Sequence, residues 1–269
     1  MIQKSQILTI SIVQPDLVWE SAQANFDLLE ESINSISSAD LIVLPEMFSS
    51  GFSMQPQQLY ETMDGRGVKW MQRLARQKHS VITGSLIIKD KGKYYNRLLW
   101  VTPEGNLEFY DKRHLFSFAE EDVHYSAGSS RMIVELKGWR ICPLICYDLR
   151  FPVWSRNQDI SGKNIDSEYD VLVYVANWPE ARSSAWNTLL AARAHENQAY
   201  VVGVNRVGRD GNQINYAGES CIISPKGESM VSIEKHQPGV QTLDISLKEL
   251  QDFRAKFGAW RDKDQFQIK

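Results

Sequence analysis

Short apolar runs alternate along this chain with segments whose apolar residues recur at helical spacing. Ile7 to Val13 and Val81 to Ile88 are apolar enough to be strands. Between them, Phe26, Leu29 and Ile33 lie at the spacing of one helix face. Near-continuous apolarity in a strand indicates burial on both faces, which requires helices packed against the sheet. The alternation therefore predicts an α/β fold.

Each half of the chain also contains a predicted hairpin. The segments Pro103-Glu104-Gly105 and Pro225-Lys226-Gly227 each join two short strands, with proline and glycine at positions that turns favour. Because the two hairpins have the same kind of turn, the repetition indicates a weak internal duplication. The four strands are predicted at residues 94–102, 107–110, 221–223 and 230–233.

Length and composition favour a single domain. A chain of 269 residues with 43% hydrophobic residues can bury one large core, and α/β domains of this size are commonly single. We expect one domain over residues 1–269, with a core at about 7–246 and a C-terminal helix and tail at 247–269. The segment from Asn157 to Glu168 has few large apolar residues and is predicted to be a surface insertion.

Charge and cysteine content exclude several classes of partner. The net charge of -3 and the scattered basic residues provide no surface for nucleic acid. The three cysteines, Cys142, Cys146 and Cys221, are too few for a disulfide framework, and no cysteine or histidine pair has the spacing of a zinc site. No export signal or membrane-spanning run is recognisable. We therefore expect a cytoplasmic protein without metal, membrane or nucleic-acid partners.

Three chemically distinct side chains are predicted at the ends of strands or hairpins. Cys146 follows the apolar run Ile141 to Ile145, Glu46 follows Leu41 to Pro45, and Lys112 follows the first hairpin. Catalytic groups of α/β proteins commonly lie at such strand ends. Each residue also has an ordinary interpretation, as a buried structural thiol, a solvated glutamate or part of a charged surface loop. Together they provide a nucleophile, a base for its proton and a cation.

The segments around these residues resemble the three signature segments of the nitrilase superfamily of carbon-nitrogen hydrolases. The similarity runs from about Ile7 to Ser246 in the same order, and within the superfamily it is strongest to the omega-amidase branch. The insertion near residues 157–168 is the main departure. The segments are Leu44-Pro45-Glu46-Met47-Phe48, Tyr110-Asp111-Lys112-Arg113-His114-Leu115-Phe116 and Ile145-Cys146-Tyr147-Asp148-Leu149-Arg150-Phe151-Pro152.

The resemblance implies a four-layer αββα sandwich whose protomers pair into a homodimer and which needs no cofactor. It implies Glu46 as general base, Cys146 as nucleophile, and the Lys112 ammonium with the backbone N–H of Tyr147 as donors to an oxyanion. A second glutamate supports the site in this family, and Glu121, seven residues before Gly128, fits that place better than Glu120. A nearby cation lowers a thiol pKa while carboxylates raise it, so the sequence leaves the net direction for Cys146 open.

The omega-amidase branch hydrolyses the terminal amide of 2-oxoglutaramate and related dicarboxylate monoamides. Such a substrate needs a cation for its far carboxylate, and a guanidinium can bind it with two hydrogen bonds. Arg150 and Arg182 are the two arginines best placed by sequence, although Arg150 is as well explained as a structural ion-pair partner. The predicted substrate-binding residues are Tyr147, Phe116, Arg150, Asn177, Trp178 and Arg182.

Three other functions stay open from the sequence. The chain could belong to a different branch of the superfamily, as a nitrilase, a carbamoylase or another aliphatic amidase. A papain-like hydrolase would need His114 or His195 as its base, although neither lies in that family's sequence surroundings. A non-catalytic binding protein on the same fold is disfavoured because Glu46, Lys112 and Cys146 are all present.

Overall fold

Two six-stranded sheets form the centre of the molecule in the computed structural model, which describes residues 5–158, 167–264 and 266. The first sheet contains β1 (Ile7–Gln14), β2 (Leu41–Val43), β3 (Val81–Asp90), β4 (Lys93–Val101), β5 (Leu107–Asp111) and β14 (Gly239–Ser246). The second contains β6 (Val134–Leu136), β7 (Trp139–Ile145), β8 (Val171–Val175), β9 (Tyr200–Val204), β12 (Cys221–Ile223) and β13 (Ser229–Ser232). A separate two-stranded ribbon joins β10 (Val207–Arg209) and β11 (Asn215–Ala217).

The helices cover the outer faces of the two sheets. Residues of α1 and α3 pack with one face of the first sheet in a buried apolar cluster that includes Leu29, Leu74 and Ile82. A second cluster lies between the sheets and extends to α6 and α7 through residues such as Trp186 and Leu250. The layers are therefore helix, sheet, sheet and helix, as predicted. The helices are α1 (Ala22–Ser35), α2 (Pro56–Leu59), α3 (Arg66–Lys78), α4 (Glu121–His124), α5 (Pro152–Ser155), α6 (Ser183–Asn197) and α7 (Leu247–Lys256).

Strand alternation explains why both faces of the first sheet are buried. Along β2, Leu41 and Val43 point into the cluster between the sheets, while Ile42 packs under α1 and α3. Successive side chains of a strand point to opposite faces, so an apolar run of this kind requires cover on both sides. The apolar strands of the sequence therefore produce the four-layer arrangement.

The two sheets repeat one strand order. The first is ordered β14-β1-β2-β3-β4-β5, and the second, in the same sense, β6-β7-β8-β9-β12-β13. In each sheet the three strands β1, β2 and β3, or β7, β8 and β9, are parallel, and all the flanking pairs are antiparallel. The internal duplication predicted from the two hairpins is confirmed by this topology.

The first and last strands in chain order are neighbours in the first sheet. β1 pairs antiparallel with β14 along its whole length, from Ile7 opposite Ser246 to Gln14 opposite Gly239. The Ser246 hydroxyl accepts a hydrogen bond from the Glu249 backbone and caps α7. Residues 159–166 of the predicted insertion lie outside the described residues. Within the described ranges, no helix has the length and apolarity needed to cross a membrane.

Candidate active site

The ends of β2, β5 and β7 bring three of the predicted residues together. Glu46 follows β2, Lys112 directly follows β5, and Cys146 directly follows β7. The Lys112 Nζ atom lies 2.8 Å from Glu46 Oε1 and 2.9 Å from Glu121 Oε2, and all three charged side chains are fully buried. We call Glu46, Lys112, Glu121 and Cys146 the buried cluster. Glu120, the alternative to Glu121, is exposed.

Asn96 on β4 fixes the two carboxylates of the buried cluster. Its side-chain amide donates to Glu46 Oε1 at 2.7 Å and to Glu121 Oε1 at 3.2 Å, and its carbonyl oxygen accepts from the Ser85 hydroxyl. The backbone N–H of Lys112 also donates to the backbone carbonyl of Asn96. We did not predict this residue, although an uncharged polar side chain in an apolar strand was a signal for it.

The backbone at Cys146 is strained. Its φ is +41°, in the left-handed region that residues with a Cβ rarely adopt. Strain of this kind costs about 1 to 3 kcal/mol and persists only where surrounding contacts enforce it. The turn of residues 146–150 directly after β7 therefore holds the thiol in an orientation that a relaxed loop would not keep.

Asp148 supplies the contacts that hold this turn. Its Oδ2 accepts from the backbone N–H of Ile145 at 3.0 Å and from the Tyr110 hydroxyl at 2.7 Å. Its Oδ1 accepts from the backbone N–H of His114 and contacts His114 Nδ1 at 2.7 Å. Because Tyr110 and His114 flank Lys112 in the sequence, one buried carboxylate ties the lysine segment to the cysteine turn. The sequence prediction did not include this role.

Asn177 connects the two halves of the site. Its backbone N–H donates to Glu46 Oε2 at 2.8 Å, and its side-chain amide donates to the Glu46 backbone carbonyl at 2.5 Å. The Cys146 Sγ atom lies 3.9 Å from the Asn177 carbonyl oxygen. Asn177 thus contacts both the glutamate and the cysteine of the buried cluster.

Electrostatics decide the protonation states in the buried cluster. Burial alone lowers the pKa of the Lys112 ammonium, but attraction to Glu121 and Glu46 outweighs burial and raises that pKa above its ordinary value. Burial, followed by repulsion from the Glu46 carboxylate, raises the pKa of the Cys146 thiol well above its ordinary value, although Lys112 acts in the opposite direction. At neutral pH the lysine is therefore charged and the cysteine is a thiol.

A cavity of about 440 Å³ opens onto Cys146 and Lys112. All six predicted substrate-binding residues line it, whereas Glu46 and Glu121 lie behind its wall. Most of the lining is apolar or aromatic, with a few polar groups, which is typical of small-molecule sites. The lining residues are Phe52, Lys112, Phe116, Phe118, Ala119, Cys146, Tyr147, Arg150, Asn177, Trp178, Pro179, Ala181, Arg182, Asn212, Ile214 and Tyr216.

This combination of fold and site has a match among known families. A family model described as carbon-nitrogen hydrolase matches residues 9–255. The chain belongs to this family. Its solved structural relatives include XC1258 of Xanthomonas campestris, a CN-hydrolase superfamily protein with an arsenic adduct in its active site. That structure is 44% identical, has a TM-score of 0.95, and is matched over 98% of this chain and 100% of its own.

Curated relatives of this carbon-nitrogen hydrolase include amidases. The omega-amidase YafV of Escherichia coli is 46% identical over 261 residues, which is 97% of this chain and 98% of the relative. The 2-oxoglutaramate amidase of Bacillus subtilis is 33% identical over 259 residues, which is 94% of this chain and 96% of the relative. The resemblance read from the three signature segments is therefore confirmed at the level of the family.

Family membership and geometry together exclude two of the sequence-based alternatives. The papain-like alternative is wrong, since neither histidine lines the cavity at Cys146. His114 contacts Asp148 and stacks on Phe151 at 3.8 Å between ring centroids, and His195 is exposed on α6. The charged surface loop is also wrong as an interpretation of Lys112 and Glu121, because both are fully buried.

The two candidate arginines of this carbon-nitrogen hydrolase stack on aromatic rings. The Arg150 guanidinium lies 4.9 Å from the centre of the Trp178 ring, and that of Arg182 lies 5.4 Å from Phe116. Neither has an ion pair with a carboxylate in the described parts of the chain. The interpretation of Arg150 as a structural partner of a described carboxylate is therefore wrong. Both guanidinium groups keep their charge available to a ligand.

Proposed function

We propose that this protein is an omega-amidase, which hydrolyses the terminal amide of a dicarboxylate monoamide such as 2-oxoglutaramate through a thioester on Cys146. The observation that carries the proposal is a cavity lined by Cys146, Lys112, Arg150 and Arg182, in which the two guanidinium groups have no carboxylate partner among the described residues. The names of the curated relatives support the same activity.

The first half-reaction follows from the protonation states. Because the Cys146 thiol has a raised pKa, it needs a base at the moment of attack, and Glu46 is the carboxylate whose charge acts most strongly on it. As sulfur bonds to the amide carbon, the thiol proton passes to Glu46. The carbonyl oxygen becomes an oxyanion, which the Lys112 ammonium and the backbone N–H of Tyr147 stabilise. Collapse of this intermediate expels ammonia, which takes the proton from Glu46.

The second half-reaction reuses the same groups. Glu46 removes a proton from water as the water oxygen attacks the thioester carbon. The resulting oxyanion meets Lys112 and Tyr147 again, and its collapse releases the acid and the cysteine sulfur, which takes the proton back from Glu46. Glu121 and Asn96 hold Lys112 and Glu46 in place throughout, through the hydrogen bonds described above. No step requires a metal or an organic cofactor.

Arg150 and Arg182 are the proposed receptors for the far carboxylate of the substrate. We expect 2-oxoglutaramate and succinamate to be hydrolysed at least a hundredfold faster in kcat/KM than butyramide or butyronitrile. A buried ion pair that loses one partner costs about 3 to 5 kcal/mol, which is more than a hundredfold in rate. Ammonia release with the four substrates side by side is the measurement.

Arginine variants make the substrate comparison specific to the cavity. Arg150→Met and Arg182→Met keep apolar volume, and the variant that loses the carboxylate contact should lose the preference for the anionic amide while keeping its rate on butyramide. Arg73→Met is the matched control, because Arg73 is half-exposed and pairs with Glu30. A wild-type preference for the neutral amide or the nitrile would assign the protein to another branch of the superfamily.

We further propose that the protein acts as a cytoplasmic homodimer built from one domain per chain. Pairing of β1 with β14 joins the two ends of the core, and burial of Leu247 and Leu250 joins α7 to it, which supports a single folding unit. All three cysteines are free, as expected in a reducing compartment. Sedimentation equilibrium tests the dimer, and one cooperative unfolding transition tests the single domain.

A further inference from the structure

The ribbon of β10 and β11 forms one wall of the active-site cavity. Its residues Asn212, Ile214 and Tyr216 line the cavity together with Cys146. Tyr216 is 2% exposed and interacts electrostatically with Cys146, whereas Ile214 is 39% exposed. The wall therefore extends from the neighbourhood of the thiol to the mouth of the cavity.

A buried carboxylate fixes the tip of the ribbon. Asp210 Oδ1 accepts hydrogen bonds from the backbone N–H groups of Asn212 and Ile214 at 2.8 and 2.9 Å. Its Oδ2 accepts from the Tyr216 hydroxyl at 2.9 Å, and its backbone N–H donates to the Ile214 carbonyl at 3.0 Å. Asp210 thus holds every ribbon residue that lines the cavity, and its carboxylate has no free oxygen for a substrate.

The base of the ribbon is fixed as well. The guanidinium of Arg206, which is fully buried, lies 4.9 Å from the centre of the Tyr216 ring and donates to the Leu17 carbonyl at 2.9 Å. The backbone N–H of Val207 donates to the Pro15 carbonyl. These contacts attach the ribbon to the segment after β1, so the Tyr216 ring cannot retreat from the cavity without breaking them.

Another part of the cavity lining is held less firmly. Phe118 also lines the cavity, but it is 80% exposed, and its ring contacts are with Phe116 and the Arg182 guanidinium. An exposed side chain can change rotamer to admit a larger ligand, whereas a hydrogen-bonded wall cannot. Of these two parts of the lining, the ribbon is the one that can limit the size of a bound molecule.

We propose that the ribbon tip determines the longest acyl group that the active site accepts, with Tyr216 and Ile214 as the limiting side chains and Asp210 as the residue that positions them. This inference rests on the proposed amidase function. An extra methylene in a pocket of fixed size changes kcat/KM by about 10- to 200-fold. A fixed wall therefore gives different kcat/KM values to monoamides that differ by one or two methylenes.

The test is a chain-length series. The kcat/KM for the monoamides of the unbranched four-, five- and six-carbon dicarboxylic acids is measured by ammonia release, for the wild type and for Ile214→Ala, Asp210→Ala and Tyr216→Phe. We expect Ile214→Ala and Asp210→Ala to raise the ratio of six-carbon to four-carbon activity at least tenfold. Tyr216→Phe keeps the ring and loses only the hydrogen bond to Asp210, so its ratio should rise less.

Two controls make the result decisive. Ile7→Ala makes the same isoleucine-to-alanine change outside the cavity, at a side chain whose exposure, 42%, is similar to that of Ile214. It should leave the ratio of six-carbon to four-carbon activity unchanged. Phe118→Ala tests the other part of the lining. An unchanged ratio in folded Ile214→Ala and Tyr216→Phe, or a tenfold rise in Phe118→Ala alone, overturns the inference. A wild type that hydrolyses none of the three monoamides instead contradicts the proposed function, so the two failures are distinct.

Discussion

The two halves of the molecule share a strand order but contribute different chemistry. Glu46 follows β2 in the first sheet, and Asn177 follows β8, the strand at the equivalent place in the second. These two residues contact each other through two hydrogen bonds. The first half contributes the charges of Glu46, Lys112 and Glu121, while the second contributes a thiol and an uncharged amide. The repeat determines where functional side chains lie, and the local sequence determines what they are.

The halves also differ in how their groups meet the cavity. The carboxylates of the first half lie behind the wall, where Asn96 and Lys112 satisfy them. The second half provides most of the cavity lining, including Arg150 and Arg182. Fixed charges held by hydrogen bonds can stabilise charge as it develops, without reorganising during the reaction. In the proposed mechanism, the first half therefore supplies the charges that act on the proton and the oxyanion, and the second supplies the nucleophile and the receptors for the substrate carboxylate.

Removal of the proposed nucleophile, Cys146, tests this division most strongly. Cys146→Ala should lower kcat by roughly 10⁴-fold or more, because the thioester can no longer form. The variant should still fold, and it should bind 2-oxoglutaramate, since Arg150 and Arg182 are unchanged. Ammonia release and isothermal titration measure the two properties. Retained ammonia release from a folded Cys146→Ala protein would rule out covalent catalysis at this position.

Substitutions in the first half should affect catalysis and stability together. Lys112→Met leaves Glu46 and Glu121 buried without their cation, so it should cost about 3 to 5 kcal/mol of unfolding free energy and lower the thermal midpoint by roughly 10 °C. It should also lower kcat by about 10² to 10³-fold through loss of an oxyanion donor. Calorimetry and steady-state kinetics are the measurements.

Glu46→Gln is the matched variant for that experiment. Glutamine keeps the oxygen that accepts from Asn177 but cannot act as a base, so kcat should fall by roughly 10² to 10⁴-fold while the thermal midpoint falls less than in Lys112→Met. If Glu46→Gln keeps near wild-type turnover and both variants are merely unstable, the buried cluster is a structural ion pair and the proposed mechanism is wrong.

The contact between the halves should have the smallest effect. Asn177→Ala removes the side-chain donor to the Glu46 backbone carbonyl, which should lower the unfolding free energy by about 1 to 3 kcal/mol. It should also lower kcat by roughly ten- to a hundredfold, because Glu46 is less well positioned. Asn187→Ala is the control, since Asn187 is exposed and bonded to Glu219. Equal activity of the two variants would mean that Asn96, Lys112 and the backbone N–H of Asn177 position Glu46 without the Asn177 side chain.

Much of the fold was predictable because its signals are local. The apolar runs that end at Glu46 and Cys146 indicated two strand ends, and the paired hairpins indicated the duplication. Glu121 could be chosen over Glu120 only through the family resemblance, because burial in this short segment depends on its packing against distant strands.

The residues that hold the site and the ribbon in place were not predictable, because their roles also depend on how distant segments pack. Asn96 and Asp148 act mainly through partners on other segments, and nothing in their local sequence reveals those partners. Asp148 illustrates this, since its hydrogen bonds to the lysine segment span 34 and 38 positions. Asp210 instead accepts from residues within six positions of itself, and its role depends on where the ribbon lies against the cavity. Composition and periodicity report which residues are buried, while long-range hydrogen bonds depend on how the sheets are finally stacked.

The pairing of β1 with β14 has a consequence for synthesis of the chain. The residues between Gln14 and Gly239 must be translated before Ile7–Gln14 can pair with its neighbour Gly239–Ser246. At about 5 to 20 residues per second, this edge of β1 stays open for roughly ten to fifty seconds. Unpaired edges invite pairing with other chains, so a chaperone that shields β1 would act during this interval. The first sheet is complete only after β14 has been translated.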